Sequence, residues 1–255
     1  MTTQLIAPRA VRVPTWTPTH LLAVWAAAAL PMAVLAWVMS PLLAKAFSGP
    51  TALAQALVLS LTAGMVWQLV LVLIVVRREQ GTLQWPVLKE ALWLGAPTSP
   101  STGRRGGRLW WMLVPLIVLV AVEELLPALP TPAGRDLGEF FGSDTGQAWM
   151  SGNWGWFAIM IVMFVFNTAL GEELLFRGLL LPRMGRFGRA DWLVNGLLFA
   201  VYHLHVPWVI PQTLLVDTFA EALPSRRYRS SLIGIAVHSS QTLFFTAVAV
   251  ALVLG

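Results

Sequence analysis

The chain has no cysteine. Disulfides, a thiol nucleophile and cysteine-ligated metal are therefore excluded, while the compartment is left open. Charge is scarce too. Only 11% of the residues are Asp, Glu, Lys or Arg, where a soluble domain carries about a quarter. Internal repeats, low-complexity tracts and an H-E-x-x-H zinc signature are also missing. No cleavable leader is expected: the first apolar run starts only near Leu21, and no small-residue cleavage site follows it. In place of these features stands apolar sequence. Hydrophobic residues make up 57% of the 255 positions, and mean hydropathy is +0.70. The composition is that of an integral membrane protein. A formal charge of +5 could suggest nucleic acid, but the basic residues sit in short loops between apolar runs, so topology explains them and no nucleic-acid partner is expected.

The pattern predicts an all-α, polytopic transmembrane bundle of about seven spans plus an interfacial helix. Residues 1–19 read as an N-terminal arm, broken by Pro14 and Pro18, and 20–255 as one membrane domain. Spans are expected at about 20–43, 52–76, 109–129, 154–176, 191–206, 208–222 and 232–254. The mixed stretch from Leu83 to Trp93 is too short to cross and reads as interfacial. With a cytoplasmic N-terminus, alternation leaves only Lys45 and Arg135 outside and 15 of the 17 basic residues inside. That asymmetry argues for N-in, C-out in a cell inner (plasma) membrane. The Trp residues at 110, 111, 154 and 156 read as interface anchors.

Against this background Gly171-Glu172-Glu173-Leu174-Leu175-Phe176-Arg177-Gly178 stands out. An ionisable group in hydrocarbon costs at least ~2.5–3.5 kcal/mol, so such a cluster is a functional hypothesis by default. Glu173 and Arg177 are four apart and share a helical face, acid before base, which is the better order. Glu172 is turned about 100° away, toward a different wall, and is the candidate general base or acid. Phe199 and His203 repeat the four-residue spacing on the fifth span, and His238 and Thr242 on the seventh. At about 1.5 Å per residue, Glu172 lies roughly 7 Å before Arg177, His203 about 18 Å past Asp191 and His238 about 11 Å past Ser231. Convergence in one water-accessible pocket is geometrically allowed.

Blander readings exist for each. The acid-arginine cluster could be an ion pair snorkelling at a helix end, and a lone membrane histidine is more often a bundle hydrogen-bonder. Glu123-Glu124 is a paired carboxylate with no arginine following, and reads as interfacial. His205 should face away from His203 and be structural, and His20 should be interfacial. Asp217 and Glu221 either line a pocket mouth or mark the inner interface.

Glu172-Glu173-x-x-x-Arg177, Phe199-x-x-x-His203 and His238-x-x-x-Thr242, in that order on successive spans, resemble the CPBP intramembrane proteases, which include the CAAX prenyl endopeptidases and bacterial relatives. The resemblance covers about 154–250 and marks that stretch as the catalytic core. It implies that Glu172 and His203 activate a water, that His238 and its partner hold the oxyanion, that Glu173 and Arg177 form a structural ion pair, and that Phe199 packs beside the site. The chain departs from the family at Thr242, where Asn or Asp is common. Glu172, His203 and His238 form a plausible zinc set, but the expectation is a glutamate-activated water with no obligatory metal or cofactor. The implied partners are membrane lipid and a peptide or protein substrate, with or without a lipid anchor. Two other functions compete: a non-catalytic membrane scaffold or immunity protein of the same fold, and a transporter with a proton relay, which would call for internal symmetry that the sequence lacks.

Overall fold

The computed structural model describes residues 11–123, 125, 126 and 129–255, and every regular element among them is helical. Helix α1, Pro18–Ala44, opens where Thr17 accepts the backbone N–H of His20 and Pro18 supplies a preset φ. Pro31 lies inside it and lacks an N–H, so the carbonyl one turn back, Ala27, loses its helical donor. The indole of Trp67 on the next helix donates to that carbonyl at 2.8 Å. The helix then widens into a π-turn, Leu35–Met39. Arg135 donates to Ala36 O at 2.7 Å, five residues before Pro41, which has no N–H to give it. A membrane helix keeps its prolines by finding such substitute donors.

Helix α2, Ala52–Gln80, is the longest, with 29 residues, and spans about 43 Å at 1.5 Å per residue. Gly81 ends it in a left-handed conformation (φ 75°) that closes a backbone bond to Arg77 O. The short α3, Trp85–Ala91, lies in the stretch too short to cross a bilayer. A 3₁₀ turn, Gly107–Met112, leads into α4, Leu113–Glu123. Two short helices, α5 (Leu137–Gly142) and α6 (Asp144–Met150), precede α7, Trp154–Arg183. Helices α8, Asp191–Tyr202, and α9, residues 210–228, form a hairpin, and α10, Ser231–Leu254, closes the chain.

Among the described residues α1, α2, α7 and α10 are long and apolar enough to cross a bilayer. The three other expected spans are shorter. Helix α8 has 12 residues, about 18 Å against a hydrocarbon core of about 30 Å. It stops at Tyr202, turns through His203–His205 and Pro207–Val209, and α9 runs back beside it. The expected fifth and sixth segments are thus one hairpin whose tip carries His203. Apolar side chains face outward all round the bundle, among them Leu22, Val118, Leu215, Leu243 and Phe244. So broad an exposed apolar surface suits lipid rather than water. The chain is a multi-pass membrane protein.

One end of the bundle gathers the arginines. There Arg183, wholly buried, donates to both Glu79 carboxylate oxygens (2.6–3.1 Å) and to Leu179 O and Ala91 O. Trp16 donates its indole N–H to Glu79 and its backbone N–H to Arg183 O, tying the arm to α2 and α7. His20, expected at the interface, stacks on Trp16 at 4.3 Å. Arg226 pairs with Asp191 across the open ends of the hairpin (2.9 Å). At the other end Gly152 N–H bonds to Val253 O. Trp111 and Trp154 are exposed, whereas Trp156 packs on Trp149 at 5.1 Å.

Candidate active site

Helix α7 carries the acidic pair in an irregular stretch. π-Turns at Phe166–Gly171 and Leu174–Leu180 bracket Glu172 and Glu173, and such widenings recur at functional sites. Gly171 makes the first one packable. A Cβ there would come within 3.2 Å of Met65 O and 3.4 Å of Gln68 Oε1, so its absence lets α2 lie directly against α7. Gln68, buried on α2, then donates to the Tyr202 hydroxyl at 2.5 Å, and Tyr202 donates to Glu172 Oε1 at 3.1 Å. A three-member chain from α2 through α8 therefore orients the Glu172 carboxylate, which is only 2% exposed.

Glu173 faces elsewhere. Its Oε1 lies 3.3 Å from Arg177 Nη1 and 3.4 Å from His238 Nδ1. Arg177, wholly buried, also pairs with Glu221 of α9 at 2.5 Å and lies 4.0 Å over the face of Phe199. Helix α10 reaches this cluster because residue 234 is glycine: any Cβ there would overlap the Glu173 carboxylate. The adjacent Ser239 hydroxyl bonds to Thr168 at 3.2 Å, a second link between α10 and α7. Asp217, one turn before Glu221, is also buried. Neither a pocket mouth nor the inner interface describes Glu221: its carboxylate is buried as a partner of the motif arginine.

His203 stands at the hairpin tip, half-buried, with its ring 4.9 Å from Phe199 and 5.2 Å from Tyr202. Its Nδ1 is 2.9 Å from Phe199 O. A carbonyl only accepts, so Nδ1 carries the proton and Nε2 of the neutral ring is the free acceptor. His238, also half-buried, lies 6.2 Å from Phe199 on another side. The Phe199 ring is thus shared by Arg177, His203 and His238, from three helices. His205 departs from expectation. The α-helix ends at Tyr202, the 3₁₀ turn that follows changes the angular step, and His205 stacks on His203 at 5.5 Å instead of facing away.

Thr242 is half-buried one turn past His238, and its hydroxyl makes no hydrogen bond to another described residue. Its neighbour Gln241 donates to Glu123 at 3.3 Å, so Glu123 is tied to α10 rather than left at the interface; Glu124 lies outside the described residues. Glu172, His203 and His238, the set that would be plausible for zinc, are not the group whose ligand atoms converge among the described residues. Glu173, Glu221 and His238 each bring a ligand atom within 4.8 Å of the others. Arg177 already lies on both of those carboxylates, so the chain supplies the group's cation itself. Cavities of about 900 and 400 Å³ lie by the N-terminal arm, α1 and α2, and neither is lined by Glu172, His203 or His238.

Sequence reasoning missed Tyr202 and Gln68. Tyr202 precedes His203 and could have been noticed as a polar residue one step from a motif position, whereas Gln68 carries no signal beyond being a lone amide in an apolar run.

Residues 154–244 match the family model described as Type II CAAX prenyl endopeptidase Rce1-like. No curated protein and no solved structure matches the chain. The matched stretch holds the Glu172-Glu173-x-x-x-Arg177, Phe199-x-x-x-His203 and His238 elements from which the resemblance was drawn. Over this stretch the chain is similar to the type II CAAX prenyl endopeptidases, a family of membrane proteases.

Proposed function

We propose that the protein is an intramembrane endopeptidase that hydrolyses a peptide bond of a membrane-associated or lipid-modified substrate with a water activated by Glu172 and His203. The observation that carries this reading is the assembly about Phe199 and Tyr202: Glu172 is held by Tyr202, while His203 and His238 flank Phe199 from different helices. In the proposed step Glu172 accepts a water proton, aided by His203 Nε2, as the oxygen attacks the peptide carbonyl. His238 donates to the oxyanion with help from Thr242. Collapse of the tetrahedral intermediate breaks the C–N bond, and the proton held at the base passes to the leaving amine. Glu173 and Arg177 hold the scaffold and Phe199 spaces the two imidazoles. No metal or other cofactor enters the scheme.

The same reading makes residues 20–255 a single membrane domain with its catalytic core at about 154–250, after an N-terminal arm over 1–19. It places the protein in a bacterial inner membrane, N-terminus cytoplasmic and C-terminus outside, with the arginine-rich end toward the cytoplasm. The test is hydrolysis of a membrane-inserted peptide by purified protein in liposomes. Glu172→Gln should abolish product while leaving protein yield and melting unchanged.

A second reading has a specific observation in its favour. Thr242 stands where the family commonly has an amide or acid, and its hydroxyl bonds to no other side chain among the described residues. A non-catalytic scaffold or immunity protein of the same fold would tolerate that change. It predicts the same cellular phenotype for wild-type protein and Glu172→Gln.

A further inference from the structure

Glu221 belongs to none of the motifs that single out this chain. It sits on α9, in a π-turn at Thr218–Ala222, and its side chain is 1% exposed. The approach of α9 to α8 depends on Gly196, since a Cβ there would overlap the Thr218 side chain. The turn delivers one Glu221 oxygen to Arg177 Nη2 (2.5 Å) and brings the other to 3.9 Å from His238 Nδ1. Glu173 meets the same two residues at 3.3 and 3.4 Å. Arg177, Glu173, His238 and Glu221 therefore form a closed ring, base alternating with acid, drawn from α7, α9 and α10.

We propose that Glu221 is a positioning residue for His238. A single carboxylate can hold one ring nitrogen but leaves the imidazole free to pivot about that contact. A second carboxylate, approaching the same Nδ1 from another helix, fixes the ring plane and hence the direction of Nε2. Glu221 also gives Arg177 a second anion, so Arg177 does not draw Glu173 away from the histidine. Removing one partner from a buried charged set leaves the rest uncompensated in low dielectric, which magnifies any reorientation. Its catalytic consequence rests on the endopeptidase reading, whereas the geometric claim about the ring does not.

Two measurements on full-length protein in detergent micelles or liposomes test this. The first is nitrogen NMR of protein labelled with ¹⁵N-histidine. The chain has four histidines, and His238→Ala assigns the relevant signal. Glu221→Gln, close to isosteric, should shift the His238 ring resonances and leave that of His20 in place. An unmoved His238 signal overturns the proposal. The second is kinetic. Glu221→Gln should lower kcat by about 10²-fold with KM within about twofold, the scale of loss from misplacing a reacting group by about 1 Å. In a His238→Ala background the same change should cost nothing further, whereas multiplying losses would mean that Glu221 acts independently of His238 and would overturn the proposal. If Glu221→Gln fails to fold, Glu221→Asp keeps the anion and should retain cleavage and a shifted but ordered His238 signal; a His238 signal identical to wild type would again refute the role. Absence of cleavage by wild-type protein counts against the endopeptidase reading alone, because the NMR comparison still decides whether Glu221 holds His238.

Discussion

Glu172 and Glu173 are neighbours in the chain and have separate tasks. Among the described residues Glu172 receives one side-chain hydrogen bond, from Tyr202, whereas Glu173 is drawn into the Arg177 and His238 contacts. The helical period made that division legible beforehand: a four-residue spacing ties Glu173 to Arg177 and turns Glu172 away. What the period could not supply was the partner on another helix. Tyr202 and Glu221 reach their carboxylate and guanidinium partners across 30 and 44 residues of chain, and no local pattern announces such contacts. His205 was misplaced because the α-helical step was carried past the residue where the helix ends. Two predictions belong at this scale. Tyr202→Phe removes the one hydrogen-bond donor that the described residues offer this buried carboxylate, a bond of about 1.5–3 kcal/mol for a charged acceptor. Cleavage should fall about tenfold or more, as initial-rate assays will read. Thr242→Asn restores the amide common in the family and should match or exceed wild-type cleavage, while Thr242→Val should lower it; equal rates for all three would remove Thr242 from the oxyanion role.

At the scale of elements, irregular turns and glycines put the site together. The π-turns around the acidic pair each accommodate an extra residue relative to an α-helix. Deleting Ala169 should let that turn revert to α-helix and rotate Glu172 about 100° relative to the first half of α7. Protein should still insert and accumulate, yet lose cleavage. Gly234 is a second such point. Gly234→Val puts a side chain where the Glu173 carboxylate lies, and overpacking of this kind costs about 1–3 kcal/mol. The melting temperature in detergent should drop with it. Away from the site, Arg183→Met strips the partly buried Glu79 of its cation and leaves it the Trp16 indole alone, a loss below the ~3–5 kcal/mol of a fully buried pair. It should lower the melting temperature more than any arginine change in the exposed 104–108 loop. The long helices were legible from apolar runs, since length and hydropathy suffice for α1, α2, α7 and α10. The α8–α9 hairpin was not, because two short apolar stretches separated by Pro207 look alike whether they cross the bilayer or fold back within it.

For the whole molecule, the half-length hairpin packs beside α7 and α10, keeps an exposed apolar face of its own (Leu197, Leu215, Phe219) and carries His203 at its tip. The arginine-rich end ties the arm, α2 and α7 together through Arg183, Glu79 and Trp16. Because the chain has no cysteine, its topology can be read directly with single introduced thiols. A cysteine at Lys45 or Arg135 should react with an impermeant reagent in intact cells, and one at Arg186 only after permeabilisation. The reverse pattern would invert the proposed orientation. The central claim is that an acid on α7 and imidazoles on α8 and α10 act together to split a peptide bond. The most direct measurement compares wild-type protein with Glu172→Gln in liposomes holding a membrane-inserted peptide, with products identified by mass spectrometry in ¹⁸O-labelled water. The account predicts one new carboxyl terminus carrying a single ¹⁸O from wild type and none from Glu172→Gln; equal cleavage by the two proteins would contradict it.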